Sequence, residues 1–100
     1  MIEIQQAPEF IAWLDSLKDK KLRAAVLARF GRLALGNSGD VAPVGGGLSE
    51  LRIHRGAGHR IYIVARGPEM VILLGGGTKK TQVADIQRAK ALAEILELKT

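Results

Sequence analysis

The sequence contains no cysteine. That excludes a disulfide framework, thiolate chemistry and a cysteine-held zinc site. Long hydrophobic runs are also missing. The longest, Met70–Leu74, has the length of a strand, whereas a membrane span needs about 20 apolar residues. The opening MIEIQQAPEF has neither the basic start nor the apolar stretch of a secretory signal. A cytoplasmic protein with no membrane partner is expected. The only histidines are His54 and His59, with no carboxylate motif on a helix beside them, so no metal site is expected. There is no GxSxG elbow, no glycosidase-like acidic pair and no GxxxxGK[ST] loop, and no cofactor is expected. Acid is in deficit: 10 acidic residues against 15 Lys and Arg give a net charge of +5. Such a surface attracts polyanions, so nucleic acid, a ribosome or an acidic protein are candidate partners.

What is present suits one globular domain over residues 1–100. Hydrophobic residues make up 47% of the 100 and charged residues 25%, enough for a single modest core. Ile2–Gln5 alternates apolar and polar, as a short strand does. Pro8 suits a first helical turn, and Phe10, Trp13, Leu14 and Leu17 share one helical face. Trp13 is read as core, with base stacking as the alternative. Asp19 can cap a second helix whose apolar face is Leu22, Val26, Phe30 and Leu33, with Ala25 beside it. Its other face carries Lys20, Lys21, Arg23, Arg29 and Arg32. That face is either a polyanion surface or simply solvated. Gly36 ends the helix. Residues 36–47 contain five glycines and read as a connector.

The second half reads as strands. Leu48–His54 and His59–Arg66 both alternate, around a short turn at Gly56-Ala57-Gly58. A three-residue loop there sets Ile53 opposite Ile61, Arg52 opposite Tyr62, and His54 opposite Arg60. Leu51, Ile53, Ile61 and Ile63 then share the buried face, and Arg52, His54, Arg60 and Tyr62 the other. Met70–Leu74 is apolar throughout, as in a strand covered on both sides. Gly75-Gly76-Gly77 ends it. Thr78 or Thr81 caps a last helix with Ile86, Ala89, Ala93 and Leu96 inside. The expected architecture is α+β, β-α-α-β-β-β-α, with helices packed on a mostly antiparallel twisted sheet.

The polar hairpin face holds chemistry suited to RNA cleavage. That reaction takes a proton from the 2′-OH, stabilises charge on the scissile phosphate and protonates the departing 5′-oxygen. Arg52 and Arg60 can grip phosphate with paired N–H donors. His54 can carry a proton near neutrality. Tyr62 can hydrogen-bond phosphate or stack on a base. Lys79 and Lys80 lie near a helix N-terminus, which favours anions. His59, at the hairpin rim, is a weaker candidate. Polar residues on an outer sheet face are also ordinary, so the cluster alone does not assign a function.

The strings Glu50-Leu51-Arg52-Ile53, Gly58-His59-Arg60-Ile61-Tyr62 and Leu74-Gly75-Gly76-Gly77-Thr78-Lys79-Lys80-Thr81-Gln82, then Asp85-Ile86 and Ala89, resemble the RelE/ParE toxin superfamily, and within it the HigB-like addiction module killer branch. Phe10, Trp13, Leu14 and Leu17, with the loop Gly36–Asp40, extend the likeness over about residues 8–93. The resemblance implies a RelE-like fold and the toxin of a type II toxin–antitoxin pair. It implies a helix-turn-helix, HigA-like antitoxin as partner, with ribosome and mRNA as targets. The implied activity is metal-independent, ribosome-dependent mRNA cleavage. Arg52, Arg60, Tyr62 and Lys79 occupy matching positions, as do Lys80 and Gln82; His54 is added on chemistry alone. Lys20, Lys21, Arg23, Arg29, Lys80 and Gln82 are the expected RNA- or ribosome-binding residues. Some relatives use a C-terminal tyrosine or histidine, which Glu94–Thr100 lacks, so the general acid and base stay unassigned. Two other readings are a ParE-like gyrase inhibitor and a non-catalytic nucleic-acid or protein-binding module.

Overall fold

The computed structural model describes residues 1–56 and 58–98. Its elements are β1 (Glu3–Gln6), α1 (Pro8–Ser16), α2 (Lys20–Ala34), β2 (Val41–Gly45), β3 (Leu48–Ile53), β4 (His59–Ala65), β5 (Met70–Thr78), a 3₁₀ turn (Lys79–Thr81) and α3 (Gln82–Leu98). The sheet order is β1-β5-β4-β3-β2. β1 lies parallel to β5, and every other pairing is antiparallel.

Local chemistry sets the helix ends. Pro8 opens α1, where its missing N–H costs nothing. The Asp19 carboxylate caps α2, accepting from the backbone N–H of Lys21 at 2.9 Å and of Leu22 at 3.3 Å. Beyond α2 the chain turns at Gly36, and the Asn37 N–H reaches back to the Arg32 carbonyl at 2.8 Å.

The sheet is covered on both faces. On one, Phe10, Leu14, Leu22, Val26 and Leu33 of the first two helices pack on Leu51, Ile53, Ile61, Ile63, Val71 and Leu73. On the other, α3 lays Ile86, Ala89, Leu92, Ala93 and Leu96 over Leu48, Tyr62, Ile72 and Leu74. Each fully buried large side chain contributes roughly 1.5–3 kcal/mol. β5 receives both layers, which is why Met70–Leu74 is apolar at every position. Among the described residues no helix is long and apolar enough to cross a membrane.

Four expectations need correction. The connector at 36–47 contains a strand, so the order is β-α-α-β-β-β-β-α. β2 sits at the sheet edge, where Pro43 needs no partner for its missing N–H, and a bulge falls between Pro43 and Gly45. Gly46 and Gly47 close the β2–β3 hairpin with φ of 63° and 78°, the left-handed pair that a tight two-residue turn demands. Second, the β3–β4 register is Leu51 with Ile61, Arg52 with Arg60 and Glu50 with Tyr62, two residues from the expected one. The connection spans 54–58 instead of three residues. A shift of two preserves which side chains share a face. Third, the glycines at 75–77 lie inside β5 and do not end it. Fourth, the polar hairpin face is not open along its length, because α3 covers the part that carries Tyr62.

Candidate functional site

Where α3 begins, the sheet bears Arg52, 38% exposed, and Arg60, 14% exposed. The corrected register sets these two arginines directly opposite one another. Like charges so placed repel. The side chain between them is Glu50, two residues before Arg52 and on the same face of β3. Its carboxylate is 6% exposed and serves three partners. One oxygen, Oε1, accepts from Arg52 Nε at 3.2 Å. The other, Oε2, pairs with Arg60 Nε at 3.4 Å and accepts from Gln82 Nε2 at 2.9 Å. Gln82 is the first residue of α3, so the helix that covers the face also closes this polar cluster.

The guanidinium ends point away from Glu50. The Arg60 Nη1 donates to the Gly58 carbonyl at 2.8 Å, and its side chain is 14% exposed. The Arg52 side chain is 38% exposed, with Nη1 3.8 Å from Asp40 Oδ1. Asp40 also holds His54 through Nε2. The hydrogen bond from His54, aided by the positive charge of Arg52, keeps the Asp40 carboxyl below its ordinary value of 3.8. A continuous chain of polar contacts therefore runs His54–Asp40–Arg52–Glu50–Arg60. Lys79 stands at its far end. Gly58 lies between them: a Cβ placed there would be 3.6 Å from Arg60 Nη1 and 4.0 Å from Lys79 Cβ. Lys79 and Lys80 are both exposed on the 3₁₀ turn.

Arg29 fixes the loop that carries Asp40. It is buried, and its guanidinium donates to the carbonyls of Arg52 at 2.5 Å, Ser38 at 2.6 Å and Asp40 at 3.2 Å. Burial, and then the neighbouring Arg32, push its pKa below the ordinary arginine value. Next to it, a groove of about 390 Å³ is lined by Arg29, Arg32, Asp40, Arg52, His54 and Arg55. A second groove of about 390 Å³ runs between Trp13 of α1 and Leu92 and Ile95 of α3. It is mainly apolar and touches neither Arg52 nor Arg60.

The sequence-derived candidates are thus sorted. Arg52, Arg60, Lys79, His54 and Gln82 come together. Tyr62 shares their face but is completely buried under α3, and its hydroxyl finds no hydrogen-bond partner among the described residues. Burial, with the charges of Glu50 and Asp85, raises its pKa to about 12. It packs in the core beneath α3 and lines the apolar groove between α1 and α3. Arg29, expected on a basic surface, is likewise an internal brace. Arg23 is half-buried and ties α2 to the Leu14 carbonyl of α1 at 2.6 Å. Lys20 and Lys21 are exposed in the first turn of α2. They lie on the order of 18 Å along that helix from Arg32, at 1.5 Å per residue. His59 is half-buried, its Nδ1 3.2 Å from the Arg55 carbonyl. Glu50, Asp40 and Arg55 were missed. Glu50 stood within a quoted motif, and its signal was a lone acid alternating with arginine on a strand face.

A five-stranded sheet between two helical layers, with cations gathered at one end, is consistent with the RelE-like α+β class. The model of the family described as Phage derived protein Gp49-like (DUF891) matches residues 12–97. An uncharacterized protein of Haemophilus influenzae is 44% identical over 97 residues, covering 97% of this chain and 98% of that one. The chain belongs to the Gp49-like family, a family associated with toxin–antitoxin systems.

Proposed function

We propose that this chain is the toxin of a type II toxin–antitoxin pair, of HigB-like type, and acts in the cytoplasm as a ribosome-dependent mRNA endonuclease. The observation that carries the reading is the pairing of Arg52 with Arg60 across β3 and β4, with Lys79 alongside. Two guanidiniums held beside the Glu50 carboxylate, Arg52 by its Nε and Arg60 by an Nη1 bond to the Gly58 carbonyl, form a receptor for a phosphodiester. In the proposed reaction the 2′-oxygen attacks phosphorus as the bond to the 5′-oxygen breaks, leaving a 2′,3′-cyclic phosphate. Arg52, Arg60 and Lys79 stabilise the charge that gathers on the non-bridging oxygens. His54 takes the 2′-OH proton. With Nε2–H donated to Asp40, the lone pair on Nδ1 is left to accept it. A proton from solvent or a ribosomal group completes the leaving 5′-OH. Every step uses groups of the chain, the mRNA, the ribosome and water, and the 2′-OH as nucleophile needs no metal.

The cognate antitoxin is proposed as the protein partner, with the exposed Lys79 and Lys80 and the groove at Arg32 and Arg55 as surfaces for an acidic segment or for RNA. Expression in a bacterial host tests the reading. Wild-type chain should arrest growth, and co-expression of its cognate antitoxin should relieve it. Arg60→Ala and Lys79→Ala should fold as wild type does yet lose toxicity. Undiminished toxicity in both variants would contradict the proposal. Arrest with trapped DNA breaks and normal translation would move the assignment to gyrase.

A further inference from the structure

Glu50 occupies an unusual position for an acid in a phosphate-binding cluster. It is 4% exposed, it belongs to none of the catalytic roles above, and a carboxylate should weaken a site meant for anions. Its geometry gives it another task. Oε1 accepts a hydrogen bond from Arg52 Nε at 3.2 Å, and Oε2 stands in ion-pair contact with Arg60 Nε at 3.4 Å, an Nε that has no hydrogen-bond partner among the described residues. Nε lies at the root of the guanidinium. A contact there constrains the plane of the group and leaves Nη2 available, while on Arg60 the Nη1–H is already donated to the Gly58 carbonyl at 2.8 Å. The carboxylate also offsets the repulsion between two arginines paired across strands. The Gln82 amide, at 2.9 Å, occupies a further site on Oε2 and so limits rotation of the carboxylate.

We infer that Glu50 is a positioning residue that presets Arg52 and Arg60 as a two-armed clamp for the scissile phosphate. The inference rests on the nuclease reading above. It assigns Glu50 no contact with RNA. Glutamine at this position is nearly isosteric but offers a single acceptor oxygen, so it can hold one Nε and not both.

The test is a double-mutant cycle on single-turnover mRNA cleavage by the full chain on programmed ribosomes. Glu50→Gln should lower the cleavage rate about 10- to 100-fold, the cost of a misplaced catalytic group, with little change in half-saturation. Glu50→Asp, which retains both oxygens, should recover part of that rate. In an Arg52→Lys, Arg60→Lys background, Glu50→Gln should cost almost nothing, because lysine has no Nε fork to be held. A cost that adds in full to that of the arginine changes would mean a general structural role and overturn the inference, as would full activity in Glu50→Gln. Should Glu50→Gln not fold, Glu50→Asp completes the same cycle. Absence of cleavage by wild type would sink the nuclease reading instead. The arginine Nε–H resonances then still decide the geometry. That of Arg52, which donates to Glu50, should be protected from exchange in wild type and lose protection in Glu50→Ala, and equal exchange in both proteins would overturn the inference.

Discussion

Tyr62 shows how a single side chain can be read correctly for its face and wrongly for its exposure. Its alternation with Ile61 and Ile63 put it beside the arginines, but nothing in β4 states that α3 returns over it. As the only tyrosine, it reports its own ionisation. Its phenol should titrate at about 12, not at its ordinary value of 10.0, in the ultraviolet absorbance of the folded protein. The sign follows from the raised value: the contribution of the neutral phenol to stability is complete below 10.0 and is lost as pH rises through about 12. Tyr62→Phe removes a hydroxyl with no partner among the described residues, so stability should hold or rise by about 1 kcal/mol, and toxicity should persist. A toxicity-null Tyr62→Phe that still folds would contradict the core assignment. Asp40 behaves oppositely. Its carboxyl is lowered, so its pairing with His54 stabilises above 3.8 and is lost as pH falls through the folded midpoint. In a carboxyl-carbon NMR titration, His54→Ala should bring that midpoint up toward 3.8; an unmoved midpoint would place the cause elsewhere. Asp40 was illegible in the sequence because it lies 14 residues from His54, in a loop with no periodicity.

At the scale of elements, the glycines of β5 separate packing from flexibility. A methyl on Gly76 would overlap the Trp13 ring, and one on Gly77 would overlap the Asp85 carboxylate. Gly75 has no neighbour within 4 Å in that direction. Gly76→Ala and Gly77→Ala should therefore each cost about 1–3 kcal/mol in urea unfolding, as overpacked sites do. Gly75→Ala should stay within about 0.5 kcal/mol of wild type. Equal losses at all three would mean that the triplet serves backbone freedom instead. A sequence shows glycines as breaks, so reading them as the end of the strand was natural; only the tertiary contacts reveal two of them as seats for other side chains. The helices were legible because their signals are local: Pro8, Asp19 and the 3.6-residue stripes. β2 was hidden because its alternation is short and interrupted by Pro43, although Gly46-Gly47 carried a usable hairpin signal. The β3–β4 register was missed because loop length, not face, sets it, and five residues replaced three.

For the molecule as a whole, the sequence made the class of sheet and the gathering of cations readable, because period-two patterning forces Arg52 and Arg60 onto one face in any register that buries Leu51 and Ile53. It did not reveal the acid that makes their proximity tolerable, since the contacts of Glu50 come from three separate elements. The net charge of +5 favours polyanions in general, and the proposed activity turns on the few cations gathered around Arg52 and Arg60. The decisive experiment follows the integrity of a defined mRNA, read by primer extension, in a purified bacterial translation system with and without ribosomes. Discrete cuts are expected that require ribosomes, persist in chelator at magnesium levels that still support translation, and vanish with Arg60→Ala. Intact mRNA on actively translating ribosomes, with folded wild-type chain present, would contradict the nuclease assignment.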